Sequence, residues 1–166
     1  MRPRSLLSAM VCALSLLSMT PAASAVELGL HVGAGPRFSV NGIDAVGALH
    51  LNVEVYDMLH LTVDLNSYFG GASPVDFAGG DVGLLFQPPI PGPIDVQVGL
   101  LGSFTKLHEA RHGTDEWLGG LTAEGAVTAT FGMFQARVAY QHVLAGSKNH
   151  GDAFRNQLMI MLGAKL

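Results

Sequence analysis

The chain has 166 residues, room for one domain, with glycine at 21 positions and charged side chains at only 13% of them. Mean hydropathy is positive (+0.36), yet beyond the first 25 residues no run approaches the roughly 20 apolar residues a membrane-crossing helix needs. Hydrophobicity must therefore be spread by alternation, the compositional mark of a transmembrane barrel. An acidic balance and the lack of a basic patch exclude nucleic acid as a partner.

Arg2 and Arg4, the apolar stretch Leu6 to Leu17 and the small residues Ala23-Ser24-Ala25 have the layout of a cleaved secretory signal. Cleavage after Ala25 removes the only cysteine, Cys12, and leaves the domain 26–166 without any thiol for a disulfide or metal site.

From Val26 the period is two. Val26, Leu28, Leu30, Val32 and Ala34 share one face, with Glu27, Gly29, His31, Gly33 and Gly35 on the other; Pro36 and the Ser39–Gly42 stretch break the pattern. The second strand sets Ala45 to Val55 against His50, Asn52, Glu54 and Tyr56, and Asp57-Met58 turns into the third. There Leu59, Leu61, Val63 and Leu65 oppose His60, Thr62, Asp64 and Asn66. The fourth alternates Val82, Leu84 and Phe86 with Asp81, Gly83, Leu85 and Gln87, and ends in a proline-rich turn from Pro88 to Pro93, which cannot join a ladder.

The fifth places Ile94, Val96, Val98 and Leu100 opposite Asp95, Gln97, Gly99, Leu101 and Ser103. A polar segment, Lys106 to Glu116, reads as a loop before the sixth strand, where Leu121, Ala123 and Val127 oppose Thr122, Glu124 and Thr128. After Gly132-Met133 the seventh sets Phe134, Ala136, Val138 and Tyr140 against Gln135, Arg137, Ala139 and Gln141. In the eighth, Leu158, Ile160, Leu162 and Ala164 face away from Arg155, Gln157, Met159, Met161 and Lys165.

Eight strands joined by short turns at one end and by longer loops of about eight to eleven residues at the other predict an all-β, antiparallel up-and-down transmembrane barrel. The aromatic residues support it. Tyr56, Phe86, Phe131 and Phe134 gather toward the short turns, whereas Phe38, Tyr68, Phe69, Phe77, Phe104, Trp117, Tyr140 and Phe154 gather toward the loops. A soluble lipocalin-like binding barrel is the competing architecture, with the apolar face turned inward.

On this pattern the chain resembles the small eight-stranded outer-membrane barrels of the OmpA/OmpX type. The resemblance is one of architecture over the whole of 26–166. It implies a porin-like location in the outer membrane of the Gram-negative envelope, contact with outer-membrane lipid and lipopolysaccharide, insertion by the barrel-assembly machinery, a monomer, and a structural or surface-interaction role without a cofactor. Such proteins usually end in an aromatic residue; here Leu166 stands in that place.

The inner face predicts a charge network of Glu54, Asp64, Asp81 and Glu124 with Arg137, Arg155 and Lys165, to which Glu27, Asp95, His31, His50 and His60 add titratable groups. Buried charges persist only when paired, so the expected result is a polar plug, with a narrow solute or proton path through the histidines as its alternative.

Two motifs invite enzymatic readings. His108-Glu109-Ala110-Arg111-His112 matches H-E-x-x-H, whose chemistry needs both histidines on one helical face. Here it falls in the expected loop with Gly113 directly after it, and weak metal binding by His108 and His112 is the most it suggests. Tyr140-Gln141-His142 faintly resembles the His-x-Ser-Asn element of lipid A deacylases, which implies a hydrolase acting on lipid; Leu144 occupies the nucleophile position and Ser147 lies beyond it.

Overall fold

A computed structural model describes residues 28–39, 42–69, 75–109, 114–146 and 156–166. The segment expected to be a signal, together with Glu27, His112, Phe154 and Arg155, lies outside the described residues. Eight strands form one closed antiparallel barrel: β1 (Leu28–Ser39), β2 (Gly42–Tyr56), β3 (Leu59–Phe69), β4 (Val75–Phe86), β5 (Ile94–Glu109), β6 (Thr114–Phe131), β7 (Phe134–Gly146) and β8 (Asn156–Lys165). Each pairs with its neighbour in sequence, and β8 closes on β1.

The alternation read from the sequence holds, with the apolar face outward. Val32, Leu65, Leu100, Val127, Ile160 and Leu162 are exposed, whereas Asp64, Leu85, Leu101, Arg137 and Met159 are buried inside. Outward aromatics ring both ends: Tyr56, Phe86, Phe131 and Phe134 near the short turns, Phe38, Phe104, Trp117 and Tyr140 near the loops. A soluble barrel would carry these rings in its core; here they lie on the wall that meets the surroundings.

The register fixes the barrel's slant. Passing across partnered residues from Leu28 to Val53, Leu61, Leu84, Leu100, Ala123, His142 and Asn156 returns to β1 at Phe38, ten residues above the start. With strands about 4.8 Å apart, a shear of that size in eight strands tilts them by about 40°. Rows of directly opposed side chains therefore climb the wall as spirals, on the inside as well as the outside.

Four expectations change. β1 continues through Pro36 to Ser39. Its ladder with β2 is unbroken, while the ladder with β8 lapses at Gly35 and Pro36, where proline has no N–H to give. Tyr56 turns outward, because a bulge between Glu54 and Tyr56 pairs Glu54 with His60 and Tyr56 with Leu59. The long connections are shorter than expected at three of four places: strand bounds leave only 40–41, 70–74 and 110–113 between β1 and β2, β3 and β4, and β5 and β6, against 147–155 before β8. β5 and β6, at 16 and 18 residues, run well past the roughly 9–11 that cross a bilayer. The fourth change concerns the interior, which is not uniformly polar. Val46, Ala48, Ala126, Ala139, Met159 and Met161 form a buried apolar cluster inside it, with Val143 against them.

Close approach of strands accounts for several inward glycines. A Cβ on Gly35 would stand 1.8 Å from the Leu158 carbonyl oxygen, and one on Gly163 would stand 2.1 Å from that of Leu30. Both lie on the seam where β1 meets β8, as does Gly33, whose added Cβ would stand 2.1 Å from the Ile160 carbonyl oxygen, so this seam closes with no side chain at any of the three positions.

Candidate functional site

Arg137 on β7 is the largest fully buried side chain among the described residues. Its guanidinium donates to Glu124 of β6, to Gln97 of β5 and, at 3.3 Å, to Thr128 of β6. Glu124 also accepts from Gln141 Nε2 at 2.7 Å, and the same nitrogen lies 3.2 Å from Asp64 Oδ2 of β3. Asp64 Oδ1 is 2.5 Å from His50 Nδ1 of β2. Gln97 Nε2 in turn donates to Gln87 Oε1 at 2.7 Å, and Gln157 of β8 donates to Gln141 Oε1 at 3.4 Å.

The network thus ties six strands together with a residue that follows β4. At its centre the Arg137 guanidinium is paired with Glu124, and the Asp64 carboxyl group lies against Gln141 and His50, as groups removed from water require, while Arg137 Nε and His50 Nε2 have no hydrogen-bond partner among the described residues. The two strands joined by Gln141 and Asp64 are four apart in an eight-stranded ring, so this bond crosses the bore. Above it Asn66 Nδ2 donates to Asp81 Oδ2 at 2.9 Å, and the hydroxyls of Ser103 and Thr122 share a 2.5 Å bond.

One inner spiral carries much of this chemistry. Thr130, Gln135, Gly163, His31, His50, Asp64, Asp81 and Ser103 are successive direct partners on β6, β7, β8, β1, β2, β3, β4 and β5. The rings of His31 and His50 stand 5.4 Å apart, tilted by 53°. Below them, at the short-turn end, a small cavity of about 30 Å³ is lined by His31, Asn52, His60, Asp95, Gln135 and Lys165 among others. That is room for about two waters. Both ring nitrogens of His31, Asn52 Oδ1 and Gln135 Oε1 are buried beside it.

No family model and no curated relative matches the chain. Solved structures do. Neisserial surface protein A is 15% identical, with a TM-score of 0.58 over 88% of this chain and 99% of that one. Ail, the attachment invasion locus protein of Yersinia pestis, is 12% identical, with a TM-score of 0.57 over 86% and 100%. The N-terminal β-barrel domain of Pseudomonas aeruginosa OprF is 12% identical, with a TM-score of 0.59 over 85% and 96%. The chain has the architecture of the small eight-stranded outer-membrane barrels.

Within this barrel, the expected lumen residues Asp64, Asp81, Glu124 and Arg137 are all buried inside, and the first, third and fourth share one network. Glu54, Asp95 and Lys165 are only half-buried, toward the short-turn mouth, and Arg155 lies outside the described residues. Arg37 was not foreseen. It is 6% exposed and faces the interior from the part of β1 beyond Pro36. Its parity with His31 marks it as inward, a signal masked in the sequence by the intervening proline. The glutamines 97, 141 and 157 were placed on the inner face by alternation, but nothing in the alternation showed that they join the charges to one another.

Of the two enzyme motifs, only the first sits otherwise than expected. β5 runs through Glu109, so His108 and Glu109 are in extended backbone and not in a loop able to coil into a helix. Among the described residues no three His, Cys, Asp or Glu side chains are grouped to hold a metal ion. His142 is exposed on the outer wall, with its Nδ1 2.7 Å from Asn156 Oδ1. The position two residues on is Leu144, which is exposed and has no nucleophilic atom.

Proposed function

We propose that the protein is a non-enzymatic integral barrel of the bacterial outer membrane with a structural or surface-interaction role. The observation that carries this reading is the inverted wall: an apolar, aromatic-bounded exterior around an interior closed by Arg137, Glu124, Gln141 and Asp64. An exterior of that kind is stable against lipid and not against water. Contacts across the bore at hydrogen-bond distance leave no continuous channel at that level. The fold shared with Neisserial surface protein A, Ail and the OprF barrel supports the same reading.

The experiment that tests it is electrophoresis of the outer-membrane fraction with and without heating. A folded barrel runs faster unheated than boiled; a single unshifted band in the soluble fraction overturns the reading.

A second reading, a narrow path for protons, draws on the spiral from the short-turn cavity through His31 and His50 to Asp64 and Asp81. Proton flux into vesicles holding a pH-sensitive dye tests it, and flux equal to that of empty vesicles removes it.

A further inference from the structure

The outer wall is hydrocarbon almost throughout. Among the described outward positions, polar atoms occur on Tyr56 at the short-turn end, on Ser67, Lys106 and Trp117 toward the loop ends of their strands, and on the trio Tyr140, His142 and Asn156. These three form one cluster. Asn156 Oδ1 accepts from the Tyr140 hydroxyl at 2.6 Å and from His142 Nδ1 at 2.7 Å. The register builds it: His142 of β7 is the direct partner of Asn156, and Asn156 that of Phe38 on β1, at the point where the outer spiral begun at Leu28 reaches the loop end.

Two donors on one oxygen leave a defined set of groups over. Asn156 keeps two N–H donors. With Nδ1–H committed to Asn156, His142 has its Nε2 left over, and the Tyr140 oxygen keeps an acceptor lone pair. Such groups cannot face hydrocarbon without cost, so the cluster belongs at the boundary where headgroups begin. The array is mixed in donors and acceptors, lacks a fixed charge, and has the aromatic faces of Tyr140 and Phe38 beside it. A hydroxyl-rich ring matches it: hydroxyls both donate and accept, and the apolar face of a sugar lies well on an aromatic ring. A phosphate, which only accepts and demands cations, matches it poorly.

We propose that Tyr140, His142 and Asn156 form a contact site for the saccharide headgroup of a glycolipid in the loop-side leaflet. This rests on the outer-membrane reading given above.

The test uses the full mature barrel in dodecyldimethylamine oxide micelles, a detergent without sugar. The probes are lipopolysaccharide, the same material dephosphorylated, and phosphatidylglycerol, and the readout is the unfolding temperature followed by the heat-dependent mobility shift. Both saccharide lipids are expected to raise the unfolding temperature of the wild type, and phosphatidylglycerol to leave it unchanged. Asn156→Leu, which suits the lipid-facing wall and should fold, is expected to weaken the half-effective concentration of both by about three- to tenfold. Tyr140→Phe, which keeps the ring, should lose less.

Equal action of phosphatidylglycerol, loss of the effect on dephosphorylation, or an unchanged response of Asn156→Leu each overturns the proposal, as does a concentration-dependent dimer that no lipid affects. A barrel absent from the outer membrane overturns the reading beneath it; an outer-membrane barrel indifferent to glycolipid overturns this site alone.

Discussion

Gln141 on β7 donates to Asp64 on β3 at 3.2 Å, although the two strands stand on opposite sides of the ring. A barrel bridged at that distance has no open axis, and Arg137 with Glu124 fills the space beside the bridge. The wild-type protein is therefore expected to show no ion-conducting steps in planar bilayers. Replacing both Arg137 and Gln141 by alanine removes the two side chains that span the centre, and discrete openings are expected. Steady conductance from the wild type would contradict the bridge.

The Arg137–Glu124 pair also sets the sensitivity of the fold. Breaking a buried pair on one side strands the other charge, at a cost of about 3–5 kcal/mol. Arg137→Met should lower stability by that order in a urea titration of the folded, fast-migrating band. Adding Glu124→Gln removes the stranded carboxylate and should recover part of the loss. Because Gln97, Thr128 and Gln141 also lose partners, recovery should be incomplete.

Much of this was legible beforehand, for a physical reason. In a strand the side-chain period is two, so Asp64, Asp81, Glu124 and Arg137 could be set on the inner face from spacing alone. Register is another matter. It depends on where bulges and turns fall, and a bulge of one residue carried Tyr56 from the inner row to the outer wall. Arg37 has the inner-face parity of His31, but proline in a sequence signals the end of a strand, whereas Pro36 is accommodated by a lapse in the β1–β8 ladder. The spiral from Thr130 to Ser103 and the cluster of Tyr140, His142 and Asn156 exist only in three dimensions. Each joins residues from different strands, and their partners follow from the shear, which no single strand encodes.

The β1–β8 seam gives a sharp test of closure. At Gly35 a Cβ would stand 1.8 Å from the Leu158 carbonyl, and at Gly163 it would meet both the Leu30 carbonyl at 2.1 Å and the His31 ring at 2.5 Å. The obstacle is backbone, which cannot swing aside as a long side chain can. Gly35→Val is expected to abolish the heat-modifiable band. At Gly125, by contrast, nothing lies within 4 Å of the added Cβ, and Gly125→Ala should leave the band intact.

The turn between β2 and β3 stores strain that can be relieved. Met58 has φ of 64°, in the left-handed region where a Cβ meets the following carbonyl at a cost of about 1–2 kcal/mol. The equivalent turn between β6 and β7 uses Gly132 at φ 65°. Met58→Gly should therefore stabilise the barrel by up to about 1 kcal/mol, the gain being reduced by glycine's greater freedom in the unfolded chain. An unfolding midpoint in urea shifted upward with unchanged slope is the expected result.

The lipid-facing wall makes the last prediction one of sign. Ile160 lies in the middle of β8 and is 60% exposed, while its chain neighbours Met159 and Met161 are at 0% and 1%. If that exposed face meets lipid, Ile160→Arg places a cation in hydrocarbon and should cost about 2–4 kcal/mol in barrel stability, falling toward zero for the same change near either end of the strand. If the face met water, the same arginine would relieve an exposed apolar patch and raise solubility instead. Met159→Arg would disrupt under either arrangement, because the interior around Val46, Ala48, Ala126 and Ala139 is apolar and closed. The informative comparison is therefore Ile160→Arg against Ile160→Leu, measured by unfolding in lipid vesicles: only a wall immersed in the bilayer makes the arginine variant the less stable of the two by a depth-dependent amount.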